Sequence, residues 1–244
     1  MRTVAIVQAR TGSTRLPGKV LLPLLGVPAL THVVRRLARA TLVDEVVVAT
    51  TTLPGDDPIV DLAAREGWPI TRGSEVDLLA RYLDAARAHD AEQIVRITSD
   101  CPMIDPGLVD LVVDALERSG AAYASNSLAP RTYPRGLDAE AFTLEALLLA
   151  DAADLDPASR EHATPYLWRH PELFRHARVA HDVDLSGHRW TVDTPEDYEL
   201  VRRIFDAFGR DDFSWLEALA VVEAHPDWSE LNRHIEQKRV PAGQ

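Results

Sequence analysis

The apolar positions of this 244-residue chain follow two alternating rhythms through its first half. Short runs rich in Val and Ile, at residues 4–7, 45–50, 69–71 and 93–98, read as buried strands. Between them the apolar residues recur at helical spacing. Leu30, Val33, Val34 and Leu37 mark a helix over 28–40, and Pro58 enters one over 57–66. Leu78, Leu79, Tyr82, Leu83 and Ala86 mark another over 75–89. A fourth, over 105–118, has Asp105 as its cap and Pro106 at its first position. Strand–helix alternation of this kind predicts a largely parallel sheet covered on both faces. After residue 125 the rhythm loosens. A strand is expected at 138–142, helices at 143–150 and 157–169, a strand at 189–192, and helices at 195–208 and 214–224, with a polar tail from Trp228. The length suits one domain, 1–244, with 126–188 as an insertion that covers the sheet edge, completes the site and supplies a dimer contact.

In open α/β sheets ligands bind beyond the carboxyl ends of the strands, and three polar segments fall there. The first is Gln8-Ala9-Arg10-Thr11-Gly12-Ser13-Thr14-Arg15-Leu16-Pro17-Gly18-Lys19, a cationic, Gly- and hydroxyl-rich loop in a chain of net charge −12. Glycine lets backbone N–H groups approach phosphate oxygens, and Arg and Lys neutralise their charge. Only two of the 26 basic residues are lysines, Lys19 and Lys238, so a compact point charge in this loop stands out among planar guanidinium forks. The glycine spacing is not that of a Walker loop, and Val20 rather than Ser or Thr follows Lys19.

The second segment is Thr98-Ser99-Asp100-Cys101-Pro102 and the third Val192-Asp193-Thr194-Pro195-Glu196-Asp197. Asp100 and Asp193 each stand where a strand stops. Two carboxylates beside a phosphate loop suit Mg²⁺, which completes its octahedron with water and substrate oxygens. Asp193 or Thr194 could instead cap the helix opened by Pro195, with Glu196 and Asp197 complementing its dipole. Asp100 has less of an alternative, since Asp105 already caps the next helix.

Composition narrows the function classes. An acidic pI of about 5.2 with no basic stripe beyond the first loop argues against a nucleic-acid polymer as partner. No apolar run approaches the roughly 20 residues of a membrane span. The start lacks a signal-peptide pattern, and the single cysteine, Cys101, excludes a disulfide framework or a multi-Cys cage, so a cytoplasmic protein is expected. Cys101 reads as a small buried thiol. His176, His181 and His188 lack zinc-site spacing, and Trp168, Trp190, Trp215 and Trp228 read as packing. His162 and Tyr166 share a helix face that could meet a ligand or the core.

The run Ala9-Arg10-x-x-Ser13-x-Arg15-Leu16-Pro17-Gly18-Lys19 resembles the signature of the CMP-sugar cytidylyltransferases, the acylneuraminate and 3-deoxy-manno-octulosonate activating enzymes, and above all the spore-coat polysaccharide F-type branch. Arg72-Gly73-Ser74-x-x-Asp77-Leu78-Leu79-x-Arg81, Ser99-Asp100-Cys101-Pro102, Gly136-Leu137-Asp138-Ala139-Glu140-Ala141-Phe142, Arg160-Glu161-His162-Ala163-Thr164-Pro165-Tyr166 and Val192–Asp197 follow in the same order over nearly the whole chain. The resemblance implies a three-layer α/β/α sandwich with a mixed, mostly parallel sheet. It implies that CTP is attacked at its α-phosphorus by a sugar hydroxyl and releases pyrophosphate.

In that picture Arg10, Arg15, Lys19 and Asp100 are catalytic. Gln8, Ala9, Arg10, Gly12, Ser13, Arg15, Lys19, Arg72, Ser74, Asp77, Arg81 and Ser99 bind the nucleotide, and Asp100 and Asp193 hold Mg²⁺. Arg135, Asp138, Glu140, Arg160, His162 and Tyr166 line the acceptor pocket, with Arg131, Arg135 and Arg160 as the guanidinium groups available to an acceptor carboxylate. The partners implied are CTP, a small sugar or acid acceptor and a second copy of the chain. A glycosyltransferase using a preformed nucleotide sugar, or a nucleotidyltransferase with a non-sugar acceptor such as a phosphonate, is the alternative. The cationic loop favours a free triphosphate.

Overall fold

The computed structural model describes residues 1–237; Lys238 and the end of the polar tail lie outside the described residues. The chain opens on β1 (Thr3–Gln8), forms a small hairpin of β2 (Pro23–Leu24) and β3 (Val27–Pro28), and then alternates helix and strand. The alternation runs α1 (Ala29–Leu37), β4 (Glu45–Thr51), α2 (Asp57–Glu66), β5 (Ile70–Gly73), α3 (Leu78–Ala88), β6 (Gln93–Thr98) and α4 (Pro106–Ser119). Next come β7 (Tyr123–Ser125), β8 (Glu140–Thr143), α5 (Leu144–Ala153), α6 (Pro157–Arg160), α7 (Pro165–Arg169) and β9 (His176–Arg178). The helices α8 (Pro195–Phe208), α9 (Trp215–Ala224) and α10 (Pro226–Glu230) follow.

Seven strands form one mixed sheet in the order β5-β4-β1-β6-β8-β7-β9. β5, β4, β1 and β6 are mutually parallel, β8 runs antiparallel to both β6 and β7, and β9 is parallel to β7. Along β1, Ala5 and Val7 join the core under α1, α2 and α4, while Val4 and Ile6 join the core under α3 and α5. Both faces of the central strands are therefore dry, which is why they read as continuous apolar runs. A third core gathers Trp190, Val192, Leu200, Ile204, Phe205 and Phe213 where α8 and α9 close one end.

Three local expectations change. The segment 126–188 does more than cover the sheet edge: β9 forms that edge, but β8 threads between β6 and β7. The single helix expected over 157–169 is broken into α6 and α7, with Ala163 at φ 65 between them. Pro165 has no N–H to continue the ladder, and its ring collides with the carbonyl one turn back. Residues 189–192 make no strand. One parallel bridge joins Arg189 to Arg135, and Val192 N donates to the Asp100 carbonyl at 2.8 Å. The bridge does not lengthen because the two amides that would extend it turn back on their own segments, Leu137 N to the Pro134 carbonyl at 3.4 Å and His188 N to the Leu185 carbonyl at 3.1 Å.

A Cβ at Gly136, whose φ is 97, would lie 2.5 Å from both Thr191 N and Trp190 C. Gly136→Ala is expected to cost about 2–3 kcal/mol through strain and collision together, read as a lower urea midpoint at unchanged slope. Among the described residues no helix is long and apolar enough to cross a membrane.

Candidate active site

The carboxyl ends of β1 and β6 open into a cavity of about 660 Å³. One wall is the loop after β1. Thr11 anchors it: its N–H and its hydroxyl both donate to Asp56 Oδ1, at 2.7 and 2.8 Å, and Gly18 N donates back to the Thr11 carbonyl at 3.0 Å. Gly18 adopts φ 68, a left-handed turn that glycine takes without cost, and leads into a 3₁₀ turn at Lys19–Leu21 whose Val20 is buried. The loop is thereby fixed at both ends, with Arg10, Gly12, Ser13, Arg15 and Lys19 all on the cavity wall.

Lys19 reaches across to the two acids. Its Nζ donates to Asp100 Oδ2 at 2.8 Å and to Asp193 Oδ1 at 2.7 Å. Asp100 lies in the turn after β6 and Asp193 just before α8, 93 residues further along the chain, yet the fold brings both to one ammonium. Asp193 Oδ2 accepts from Arg15 and from Arg189, each at 3.0 Å. Asp100 Oδ1 accepts from Thr98 Oγ1 at 2.5 Å. Burial disfavours the charge on Asp100, but the Lys19 ammonium outweighs it and holds the carboxyl below its ordinary range. Burial likewise opposes the Lys19 charge, and the two carboxylates overcome that, raising it. Both groups are ionised at neutral pH.

The cavity floor is a buried polar network on the sheet face that otherwise packs against α3 and α5. Arg96 bonds Glu140, and its Nε donates to Gln8 Oε1 at 3.1 Å. Tyr82 OH donates to the same Gln8 oxygen at 3.1 Å, and Tyr123 OH donates to Glu140 Oε2 at 2.6 Å. Burial pulls Arg96 down, yet Glu140 more than compensates, so the guanidinium stays charged.

Opposite the loop, Arg131 bonds Asp138, which also accepts from Gly136 N at 3.0 Å. Arg135 lies half-buried on the same wall, and its guanidinium has no hydrogen-bond or ion-pair partner among the described residues. Burial, reinforced by Arg131, pulls its pKa below the ordinary value. Arg131 Nη1 and Arg81 Nε, on two residues of the cavity lining, are buried with no partner among the described residues.

The family model described as "Cytidylyltransferase" matches residues 4–240. The chain belongs to the cytidylyltransferase family. It is a CTP-dependent nucleotidyltransferase. A cytidylyltransferase structure from Leptospira borgpetersenii superposes with a TM-score of 0.89 at 36% identity, covering 98% of this chain and 100% of that one. The spore coat polysaccharide biosynthesis protein SpsF of Bacillus subtilis is 32% identical over 91% of this chain and 94% of its own. The 3-deoxy-manno-octulosonate cytidylyltransferase of Geobacter metallireducens is 41% identical over 131 residues, 49% of this chain and 48% of that protein.

Within this cytidylyltransferase the structure brings Gln8, Ala9, Arg10, Gly12, Ser13, Arg15, Lys19, Arg81, Ser99, Asp100, Arg135, Asp138, Glu140, His162 and Asp193 to one cavity. It does not bring Arg72, Ser74, Asp77, Arg160 or Tyr166 there. Arg72 donates to the Thr51 and Leu53 carbonyls and pairs with Asp57, tying β5 to β4. Ser74 Oγ accepts from Asp77 N, and Asp77 caps α3 through Ala80 N at 2.9 Å. Arg160 bridges Asp77 and Asp151, both at 2.8 Å, and so pins α6 to α3. Tyr166 packs at a tilt against His170 and edge-on to Phe174. These polar groups are spent on the frame.

Sequence reasoning missed Arg96, whose signal was a charge inside the buried run Ile94–Ile97, and Arg189, which holds Asp193 from behind. Glu75, Glu161 and Ser127 also line the cavity unanticipated. His162 is there too: burial lowers its pKa below the ordinary imidazole value, Glu161 opposes, and Arg96 adds to the lowering.

Asp100 and Asp193 already share one cation through one oxygen each, at 2.8 and 2.7 Å, so the two carboxylates could hold a divalent ion after a small approach. No third His, Cys, Asp or Glu joins them among the described residues. Mg²⁺ needs none, because water and phosphate oxygens fill its remaining positions.

Proposed function

We propose that this cytidylyltransferase transfers CMP from CTP to a hydroxyl of a sugar acid or a related small acidic acceptor, with release of pyrophosphate and with Mg²⁺ held by Asp100 and Asp193. The observation that carries this reading is the convergence of Lys19, Asp100 and Asp193 beside a cationic glycine loop. Phosphoryl-group chemistry is mostly positioning and charge stabilisation, so a cleft built of fixed charges is what it needs. In this reading Arg10, Arg15 and Lys19 bind the triphosphate, helped by the Gly12 and Ser13 backbone, and stabilise the departing pyrophosphate. Gln8, Ala9, Arg81 and Ser99 hold the cytidine. When bound, the divalent ion neutralises charge on the phosphate oxygens under attack.

The acceptor half is read from its unmatched charge. Among the described residues Arg135 has no partner and Arg131 has a spare donor, so a carboxylate or other acid group on the acceptor would satisfy both. In this reading Asp138, Glu140 and His162, which line the same cavity, contact its hydroxyls. Arg135→Ala is expected to raise the acceptor KM by about tenfold or more while leaving the KM for CTP near wild type, the loss of one charge-assisted bond. Equal effects on both KM values would remove Arg135 from acceptor recognition.

We further read the product as an activated precursor for a surface polysaccharide, as the name of the SpsF relative suggests for that protein, and the enzyme as a cytoplasmic homodimer. Leu148, Leu149, Leu155, Leu173 and Val183 are exposed apolar side chains of 126–188 available to such a contact.

The decisive experiment is a pyrophosphate-release screen of CTP, UTP, GTP and ATP against sugar acids, amino sugars and phosphonates, with and without EDTA. Release with CTP and an acidic acceptor, abolished by EDTA, is the expected result. Consumption of a preformed nucleotide sugar without pyrophosphate would establish the glycosyltransferase reading instead.

A further inference from the structure

We propose that Lys19 keeps the place of the divalent ion until nucleotide arrives, so that the site takes a metal–triphosphate complex and turns away the free metal ion. The inference rests on the reading that Asp100 and Asp193 are the metal-holding acids. Each acid has one oxygen committed elsewhere. Asp100 Oδ1 is held by Thr98, and Asp193 Oδ2 by Arg15 and Arg189. The remaining oxygens, Asp100 Oδ2 and Asp193 Oδ1, both end on the Lys19 ammonium at 2.8 and 2.7 Å. Those are the oxygens a shared ion would take, and the Lys19 side chain is only 12% exposed. Ion and ammonium therefore compete for one position.

Charge decides the competition. Lys19, Arg15 and Arg189 face Asp100, Asp193 and Asp197, whose carboxylate is clamped by Arg189 at 2.9 Å, so this cluster is already balanced. A free divalent ion would add two positive charges to a half-buried, neutral cluster. A triphosphate carries more negative charge than the ion carries positive, so the two entering together reverse that penalty. They also offer Lys19 a new partner in the phosphates. The exchange asks the cation to leave the acids and swing to the triphosphate, which suits a point charge on a flexible four-carbon stem and not a planar fork. That accounts for a lysine here in a chain whose basic residues are otherwise almost all arginine.

The test is Mn²⁺ binding, read by electron paramagnetic resonance on the full chain without nucleotide. Wild type is expected to bind free Mn²⁺ weakly. Lys19→Met, which keeps the stem and removes the charge, is expected to bind it at least about tenfold more tightly, about 1.4 kcal/mol. Lys19→Met with Asp100→Asn is expected to lose that gain. In a melting experiment Mn²⁺ should raise the midpoint of Lys19→Met and leave nucleotide-free wild type unmoved.

Equal Mn²⁺ affinities in wild type and Lys19→Met overturn the exchange. If Asp100→Asn still weakens Mn²⁺ uptake in the presence of CTP, the acids remain the metal site and the exchange alone has failed. A gain that survives Asp100→Asn shows that the acids are not the site, and both readings fall. Should Lys19→Met not fold, wild type decides. Free Mn²⁺ bound without nucleotide as tightly as with CTP, and lost in Asp100→Asn, overturns the proposal; uptake that appears only with CTP supports it.

Discussion

Asp100→Asn is expected to lower kcat by about two to three orders of magnitude without unfolding the protein. The substitution is isosteric. Thr98 Oγ1, which donates to Asp100 Oδ1 at 2.5 Å, can rotate to accept from the new amide, and the amide oxygen can still face Lys19. What disappears is one of the two charges on which a shared cation depends. Lys19 keeps its bond to Asp193, so the loop keeps its place. The loss should therefore appear in the chemical step and in the metal dependence, with the concentration of Mg²⁺ needed for half-maximal rate rising as kcat falls. Single-turnover kinetics with saturating CTP over a Mg²⁺ titration reads both. Activity within a few-fold of wild type would strike Asp100 from the catalytic residues. A collapse of the melting midpoint would make it structural.

The fold was legible where packing repeats a rhythm. β1, β4 and β6 are apolar on both faces, and the helices between them carry one apolar stripe each, so hydrophobicity alone defines them. β7, a Tyr-Ala-Ser stretch, and β9, a His-Ala-Arg stretch, have no such rhythm. They are strands because neighbours supply the hydrogen bonds, as the Arg175 carbonyl does for Ala122 N. The loop after β1 was legible because its charge runs against that of the chain. Arg72, Asp77 and Arg160 show the limit of that logic. A charged residue announces chemistry in one dimension, but whether its partner is a ligand or another side chain is decided by register. Here Thr50 of β4 pairs with Arg72 of β5, and Arg160 meets an acid 83 residues away. Arg96 shows the converse: a charge buried in a strand is informative because it must find a partner, and its partner, Glu140, lies on a strand that joins from far along the chain.

That pair carries the largest expected effect on stability. Glu140→Ala would leave the Arg96 guanidinium on an apolar sheet face with Gln8 as its remaining acceptor, and would strand the Tyr123 hydroxyl as well. Breaking a buried ion pair from one side costs about 3–5 kcal/mol, because the survivor keeps its desolvation penalty and loses its compensation. Arg96 and Glu140 are 14% and 9% exposed, at the cavity floor, so water reaching them places the expectation near the lower end, about 3 kcal/mol. For a chain of this size that is a fall in melting temperature of roughly 6–12 °C. The control is the double variant Arg96→Met with Glu140→Leu. It removes both charges and fills their space, so it should be clearly more stable than Glu140→Ala even though it departs further from the native sequence. A single variant no worse than about 1 kcal/mol, or a double variant at least as unstable, would mean the cavity solvates the pair. In that case the pair would belong to the wetted cavity and would not be holding the sheet.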